Sequence, residues 1–117
     1  MKIFKGSCHC GDISFSFEHD DIEKGLRCNC SICRRKGAVM SSFTLSPQEL
    51  EIKVDNDALG LYQFDTKIAK HHFCKTCGIY PFHETIRMPG HYRVNLGCID
   101  EIDTNALTVD VFNGKSL

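Results

Sequence analysis

The chain has 117 residues, about one domain's worth, with 42% hydrophobic and 25% charged side chains, so neither a disordered nor a membrane-spanning class is indicated. Its 14 basic and 15 acidic side chains leave a formal net charge of -1, which gives no global field for nucleic acid or an anionic membrane. The unusual count is eight cysteines. The opening residues, MKIFKGSCHC, lack the apolar run of a signal peptide, and no later stretch approaches the ~18 to 20 apolar residues of a spanning helix, so a cytoplasmic location is expected. In that reducing compartment, closely spaced cysteines are read as metal ligands rather than disulfides.

In chain order, DISFSFEH alternates Ile13, Phe15 and Phe17 with Ser14, Ser16 and Glu18, the pattern of a strand with one buried face. AVMSSFTL is a second strand-like run. SPQELEI carries a helix start: Ser46 as cap, Pro47 at the first helical position and Glu49 three residues after the cap, which predicts a helix of one or two turns. LGLYQF, IAKHHF, IYPFHETI, YRVNLGCI and LTVDVF are further short runs rich in β-branched and aromatic residues. Asn56-Asp57, Pro89-Gly90 and Asn105 supply turn signals. With no linker, low-complexity tract or long repeat, residues 1–117 are expected to form a single zinc-binding domain. The expected fold is mainly β, with about seven to eight short antiparallel strands and the cysteines at strand ends and in tight loops.

The cysteines fall into three clusters, Cys8-His9-Cys10, Cys28-Asn29-Cys30-Ser31-Ile32-Cys33 and Cys74-Lys75-Thr76-Cys77, with Cys98 apart. A C-x-C pair on an extended segment sends both thiolates to one face. In C-x-x-C followed by Gly78 the chain makes a knuckle in which glycine takes the positive φ. Joining Cys8 and Cys10 to Cys74 and Cys77 gives a closed four-cysteine zinc site, of a kind that supplies ~10 kcal/mol or more of apparent folding free energy in isolated fingers. Cys28, Cys30 and Cys33 then hold a second zinc with one position open, the usual mark of a catalytic rather than a structural site. Three thiolates donate too much charge for strong polarisation of water, so hydrolysis is not the natural chemistry. A soft site suits a fourth sulfur, and a coordinated thiol is deprotonated outright. The adjacent Arg34, Arg35 and Lys36 are placed to hold carboxylates of a small anionic thiol.

Spacing alone leaves other arrangements open. The second cluster can share a metal with Cys74 and Cys77, or be closed by His9, Cys98, His71, His72 or His83. In a strand over IAKHHF, His71 and His72 point to opposite faces, so at most one faces the metal region. Cys98, within an apolar run, reads as a small core hydrophobe, and His83 as a surface or hydrogen-bonded residue.

Four segments, GSCHCGDISF at 6–15, CNCSICRRKGA at 28–38, FCKTCGIYPF at 73–82 and VNLGCID at 94–100, resemble in order and spacing the glutathione-dependent formaldehyde-activating enzyme family, which includes centromere protein V. The resemblance implies a small zinc-containing β-tent fold. It also implies that Cys8, Cys10, Cys74 and Cys77 bind a structural zinc and that Cys28, Cys30 and Cys33 bind a catalytic one. The implied activity is that of a carbon-sulfur lyase, adding a small thiol such as glutathione to formaldehyde or a related aldehyde to give S-hydroxymethylglutathione, with Arg34 and Arg35 on the substrate. The alternative is a non-catalytic, zinc-stabilised interaction module. Neither membrane nor nucleic acid is an expected partner, since no aromatics interleave the Arg34 to Lys36 patch.

Overall fold

The computed structural model describes residues 1–63, 69–85 and 88–116. Its elements are β1 (Lys2–Ser7), β2 (Ile13–His19), β3 (Lys24–Cys28), α1 (Ser31–Lys36), β4 (Met40–Ser41), β5 (Glu51–Val54), β6 (Leu59–Tyr62), β7 (Lys70–Cys74), β8 (Phe82–Glu84), β9 (Tyr92–Val94) and β10 (Thr108–Phe112). Short 3₁₀ turns lie at Leu96–Cys98, Thr104–Ala106 and Gly114–Ser116. The mainly β fold expected from the sequence is therefore present, and the strands gather in three small sheets ordered β1-β2-β5, β10-β3-β4 and β6-β7-β8-β9. Pairing is antiparallel throughout except between β10 and β3, where Thr108 to Phe112 run parallel to Lys24 to Cys28. Among the described residues, no helix is long and apolar enough to cross a membrane.

The alternation in DISFSFEH builds the core. Ile13, Phe15 and Phe17 face inward, and a chain of rings runs from Phe4 to Phe17 (centroids 5.5 Å), Phe17 to Phe15 (6.3 Å) and Phe15 edge-on to Phe82 (6.2 Å), joining the first sheet to the third. Phe82 meets Tyr92 edge-on at 5.6 Å, the geometry favoured by aromatic quadrupoles. The second sheet is fastened to the third at Ser41, whose hydroxyl accepts from Val94 N (3.1 Å) and whose carbonyl accepts from Arg93 Nη1 (2.9 Å). Cys98 is buried in the core cluster with Leu96 and Ile99, as its apolar neighbours predicted.

One expected element is absent and one unexpected element is present. SPQELEI forms no helix: Ser46 N does donate to Glu49 Oε1 (2.8 Å) and Glu49 N to Ser46 O (3.0 Å), but the turn stops at Leu50. The next residues alternate and pair with β2, Phe15 opposite Ile52, so sheet pairing outcompetes a capped turn. Among the described residues the one α-helix lies instead at Ser31–Lys36, where Cys30 Sγ accepts from Cys33 N in place of the usual serine or threonine cap. Gly37, with φ 66°, closes it by donating its N–H to Cys33 O. The predicted turns at Asn56-Asp57, Gly90 and Asn105 are all present. Phe64, Ile68 and Ile86, at the ends of three predicted strands, lie outside the described residues.

Two strands carry a glycine beneath an aromatic ring: Gly6 pairs with Phe15 and Gly60 with Phe73. A Cβ on Gly6 would lie 2.3 Å from the Phe15 ring, and one on Gly60 would lie 2.5 Å from that of Phe73. Phe15 is held in the core, whereas Phe73 is half-buried and has room to swing. Gly6→Ala is expected to cost about 1–3 kcal/mol through overpacking, and Gly60→Ala less than half of that, read as shifts in the urea midpoint of the metal-loaded protein.

Candidate metal centres

The amino-terminal pair sits on a tight turn rather than the extended segment assumed from its spacing: Gly11 N donates to Cys8 O (3.3 Å), and Cys8 N to Ile13 O (2.9 Å). The turn aims Cys8 and Cys10 at the end of β7. There Cys74 N donates to Ile79 O and Gly78 N to Cys74 O, both at 2.8 Å, with Gly78 at φ 80° as the knuckle requires. The four Sγ atoms lie within 4.8 Å of one another, with Cys8 to Cys10 at 3.7 Å and Cys10 to Cys74 at 3.6 Å. Tetrahedral zinc with Zn–S near 2.3 Å asks for sulfurs about 3.8 Å apart, so the residues fit the ion. The four-ligand partition follows, and the alternative that gives Cys74 and Cys77 to the middle cluster does not.

A carboxylate steadies this site from outside. Asp12 Oδ2 accepts from Thr76 Oγ1 (2.9 Å) within the knuckle, and Asp12 Oδ1 accepts from Asn56 Nδ2 (3.1 Å). Ile13 N donates to Cys8 Sγ at 3.3 Å. Such second contacts orient metal ligands. Cys98 does not join the cluster. Burial pushes its thiol up to about 12, helped by Cys8 and Cys77, so it stays neutral in the core.

Cys28, Cys30 and Cys33 form the second group, again within 4.8 Å, and no fourth cysteine, histidine or carboxylate joins them among the described residues. Cys28 ends β3, Cys30 caps α1 and Cys33 lies inside it, so one strand-to-helix junction supplies all three. Backbone N–H groups of Cys30 and Cys33 point at Cys28 Sγ and Cys30 Sγ, each at 3.5 Å. Burial opposes charge on Cys30, but hydrogen bonds from Cys33 and Cys28 outweigh it and hold the thiol below its ordinary range. Burial instead pushes Cys33 up.

Two distant segments wall this junction. On one side Asn29 locks the C-terminal segment: Asn29 N donates to Phe112 O (3.1 Å), Asn29 Nδ2 to Asn113 Oδ1 (3.0 Å) and Lys115 N to Asn29 Oδ1 (3.0 Å). Gly114 lies so close that a Cβ there would fall 2.4 Å from Cys28 Sγ. On the other side Lys36 turns inward. Its Nζ donates to His71 Nδ1 (2.6 Å) and stands 3.5 Å from the centroid of the Tyr80 ring, and Tyr80 Oη shares a hydrogen bond with His83 Nδ1.

Of the sequence-predicted side chains, Arg34 and Arg35 are exposed on the last turn of α1, and Arg35 Nη1 donates back to Ser31 O (2.7 Å). His9 is exposed, and neither it nor any other histidine completes the trio among the described residues. His71 and His72 do take opposite sides of β7, yet both are buried: His72 binds Glu84 Oε2 (3.1 Å) and Gly60 O (3.3 Å), while His71 faces Lys36. Sequence reasoning missed the wall formed by Asn29 and Gly114, and the singling out of Lys36. The first had no local signal. The second was legible once Ser31–Lys36 is a helix, because Lys36 then lies three residues after Cys33 on the same face.

Native protein is expected to carry two zinc ions per chain by elemental analysis, falling to one in Cys30→Ser, whereas Cys74→Ser should lose the fold together with the metal. Gly114→Ala is expected to weaken the second ion at least tenfold against a chelator while leaving the first unchanged, since the added methyl contests the space of Cys28 Sγ.

A crystal structure of a Rhodobacter sphaeroides protein, a structural-genomics target, is similar to this chain with TM-score 0.78 and 35% identity, over 91% of this chain and 99% of that one. The sequence profile of the glutathione-dependent formaldehyde-activating enzymes matches residues 3–115, nearly the whole chain and both cysteine groups. With that match spanning both the four-cysteine and the three-cysteine group, the chain belongs to the glutathione-dependent formaldehyde-activating enzyme family.

Proposed function

We propose that the protein is a carbon-sulfur lyase-type enzyme that adds a small thiol, such as glutathione, to formaldehyde or a related small aldehyde, and cleaves the same bond in reverse. The observation that carries this reading is the incomplete donor set: three convergent cysteines with no fourth protein ligand among the described residues, in a chain of this family. Zinc bound there would supply a soft Lewis-acid position at which an incoming thiol is kept deprotonated near neutral pH.

The chain's own residues do the rest. Cys30 N and Cys33 N donate to the sulfurs, spreading their charge and fixing the junction before substrate arrives. Asn29 holds the Asn113–Lys115 segment against Cys28, which shields one side of the site from water. Arg34 and Arg35, exposed beside the junction, take the carboxylates of the thiol in bidentate pairs, which places its sulfur. The thiolate lone pair then forms the bond to the carbonyl carbon, the π pair moves to oxygen, and that oxygen takes up a proton. This chemistry suits a reducing compartment such as the cytoplasm, where thiols persist.

The test is optical. In protein with cobalt(II) in both sites, glutathione should change the thiolate-to-cobalt and ligand-field bands of one site and leave the other untouched. A spectrum indifferent to glutathione and to other small thiols would overturn the reading and favour a zinc-stabilised binding module. In the double variant Arg34→Ala, Arg35→Ala, KM for glutathione should rise about 3- to 10-fold with kcat nearly unchanged, and KM for uncharged 2-mercaptoethanol should stay constant.

A further inference from the structure

The C-terminal turn of α1 separates three cations. Arg34 and Arg35 go to solvent, but Lys36 lies three residues after Cys33, so their side chains leave the helix on one face. Its half-buried ammonium has three donors. One goes to His71 Nδ1 at 2.6 Å, which makes that nitrogen the acceptor and leaves the imidazole proton on Nε2. The charge sits 3.5 Å from the Tyr80 ring centroid, a cation–π contact. Among the described residues, no carboxylate lies within 4 Å of Nζ. Burial presses Lys36 down to about 8, against an opposing pull from Cys33 and Cys30.

Its two supports are themselves supported. His71 and His83 are paired residues of β7 and β8, with ring centroids 5.7 Å apart, and Tyr80 stacks on His83 at 6.0 Å while bonding to its Nδ1. Burial above all, with Lys36 next, holds His71 down to about 4 and His83 to about 3, so both rings are neutral acceptors near pH 7. A lysine serving only solubility would lie in water beside Arg34. Here a neutral histidine and an aromatic face fix an ammonium on the Cys33 face of the helix, with no carboxylate within 4 Å among the described residues.

We infer that Lys36 is a further functional residue of the Cys28–Cys30–Cys33 site: its ammonium holds the carbonyl oxygen of the electrophile and delivers the proton that this oxygen needs. The inference rests on the proposed thiol addition. As sulfur bonds to carbon and the π pair moves to oxygen, an Nζ–H bond breaks, its electron pair stays on nitrogen and the proton goes to oxygen, leaving a neutral amine and a hydroxymethyl thioether. Lys36 recovers its proton from solvent, which balances the one released when the thiol ionised. In reverse, the neutral amine removes the hydroxyl proton as the carbon-sulfur bond opens.

The experiment uses two probes on cobalt-loaded protein: ethanethiol, which offers sulfur alone, and thioacetate, which offers sulfur with an oxygen on the neighbouring carbon, where the adduct oxygen would be. Lys36→Met is expected to weaken thioacetate binding at least tenfold and ethanethiol binding less than twofold, and to lower kcat for glutathione and formaldehyde about a hundredfold or more with KM for glutathione little changed. Lys36→Arg, which keeps the charge and the helix, should hold thioacetate within threefold of wild type yet lose at least tenfold in kcat, because a guanidinium does not surrender its proton. Parallel loss of both probes, or loss of neither, would overturn the inference, as would full kcat in Lys36→Arg. If neither probe alters the wild-type spectrum, the thiol-binding reading falls and takes this inference with it; if both bind but the variants do not discriminate, this inference falls alone.

Discussion

Everything in this fold hangs from the approach of Cys10 Sγ to Cys74 Sγ, 3.6 Å across space and 64 residues along the chain. Among the described residues the three sheets have three or four short strands each and bury their apolar faces against one another. The turn holding Cys8 and Cys10 leads directly into β2, whose Ile13, Phe15 and Phe17 build the core, and β7 ends at Cys74. Four thiolates within 4.8 Å would repel strongly without a cation among them, so sheet packing and ligand assembly form one cooperative event once a divalent ion is bound. Asp12 couples the two halves again, through Thr76 on one and Asn56 between them.

The second cysteine group has the opposite economy. Its ligands come from six consecutive residues, Cys28 to Cys33, so closing it orders little chain that is not already ordered by β3 and α1. What comes from far away is its surroundings: Asn113 to Lys115 by way of the parallel β10, and His71, Tyr80 and His83 by way of β7 and β8. A site whose ligands are local and whose walls are long-range contributes weakly to stability and is free to be shaped by its occupant. Under the proposed function that would give different roles to two clusters that look alike as counts of cysteine.

The alternation in DISFSFEH and the knuckle at Cys74 to Gly78 were legible from local periodicity and turn chemistry, whereas the grouping of seven cysteines as four and three was legible only through the family resemblance, since spacing left other partitions open. The helix at SPQELEI was misread because its capping hydrogen bonds are real but the residues after them pair with β2, a contact visible only in three dimensions. The helix at Ser31–Lys36 went unseen because its cap is a thiol, outside the usual serine, threonine, aspartate and asparagine code. Gly37 and the three cations of its last turn were the available signals. The Asn29 clamp joins residues that lie 84 and 86 positions apart, the contact of Gly114 with Cys28 spans as far, and nothing in either segment announces the other.

Charge at the second site also follows from the helix. Three thiolates on a divalent ion leave one net negative charge, and a fourth sulfur makes it two, so cations beside the junction favour the occupied state. The chain's net charge of -1 gives no hint of this, since the relevant charges are the three at the end of α1. That end also attracts cations through its unpaired carbonyls. Rotation along the helix then assigns them different surroundings: Arg35 folds back on Ser31 O, Arg34 meets solvent and Lys36 meets His71 and Tyr80. An arginine in the inward place would hold an anion but keep its proton; a lysine there can do both, and the outward arginines have the geometry for carboxylates. On the proposed function the order Arg-Arg-Lys is thus not interchangeable, although as a run of positive charge it reads the same in any permutation.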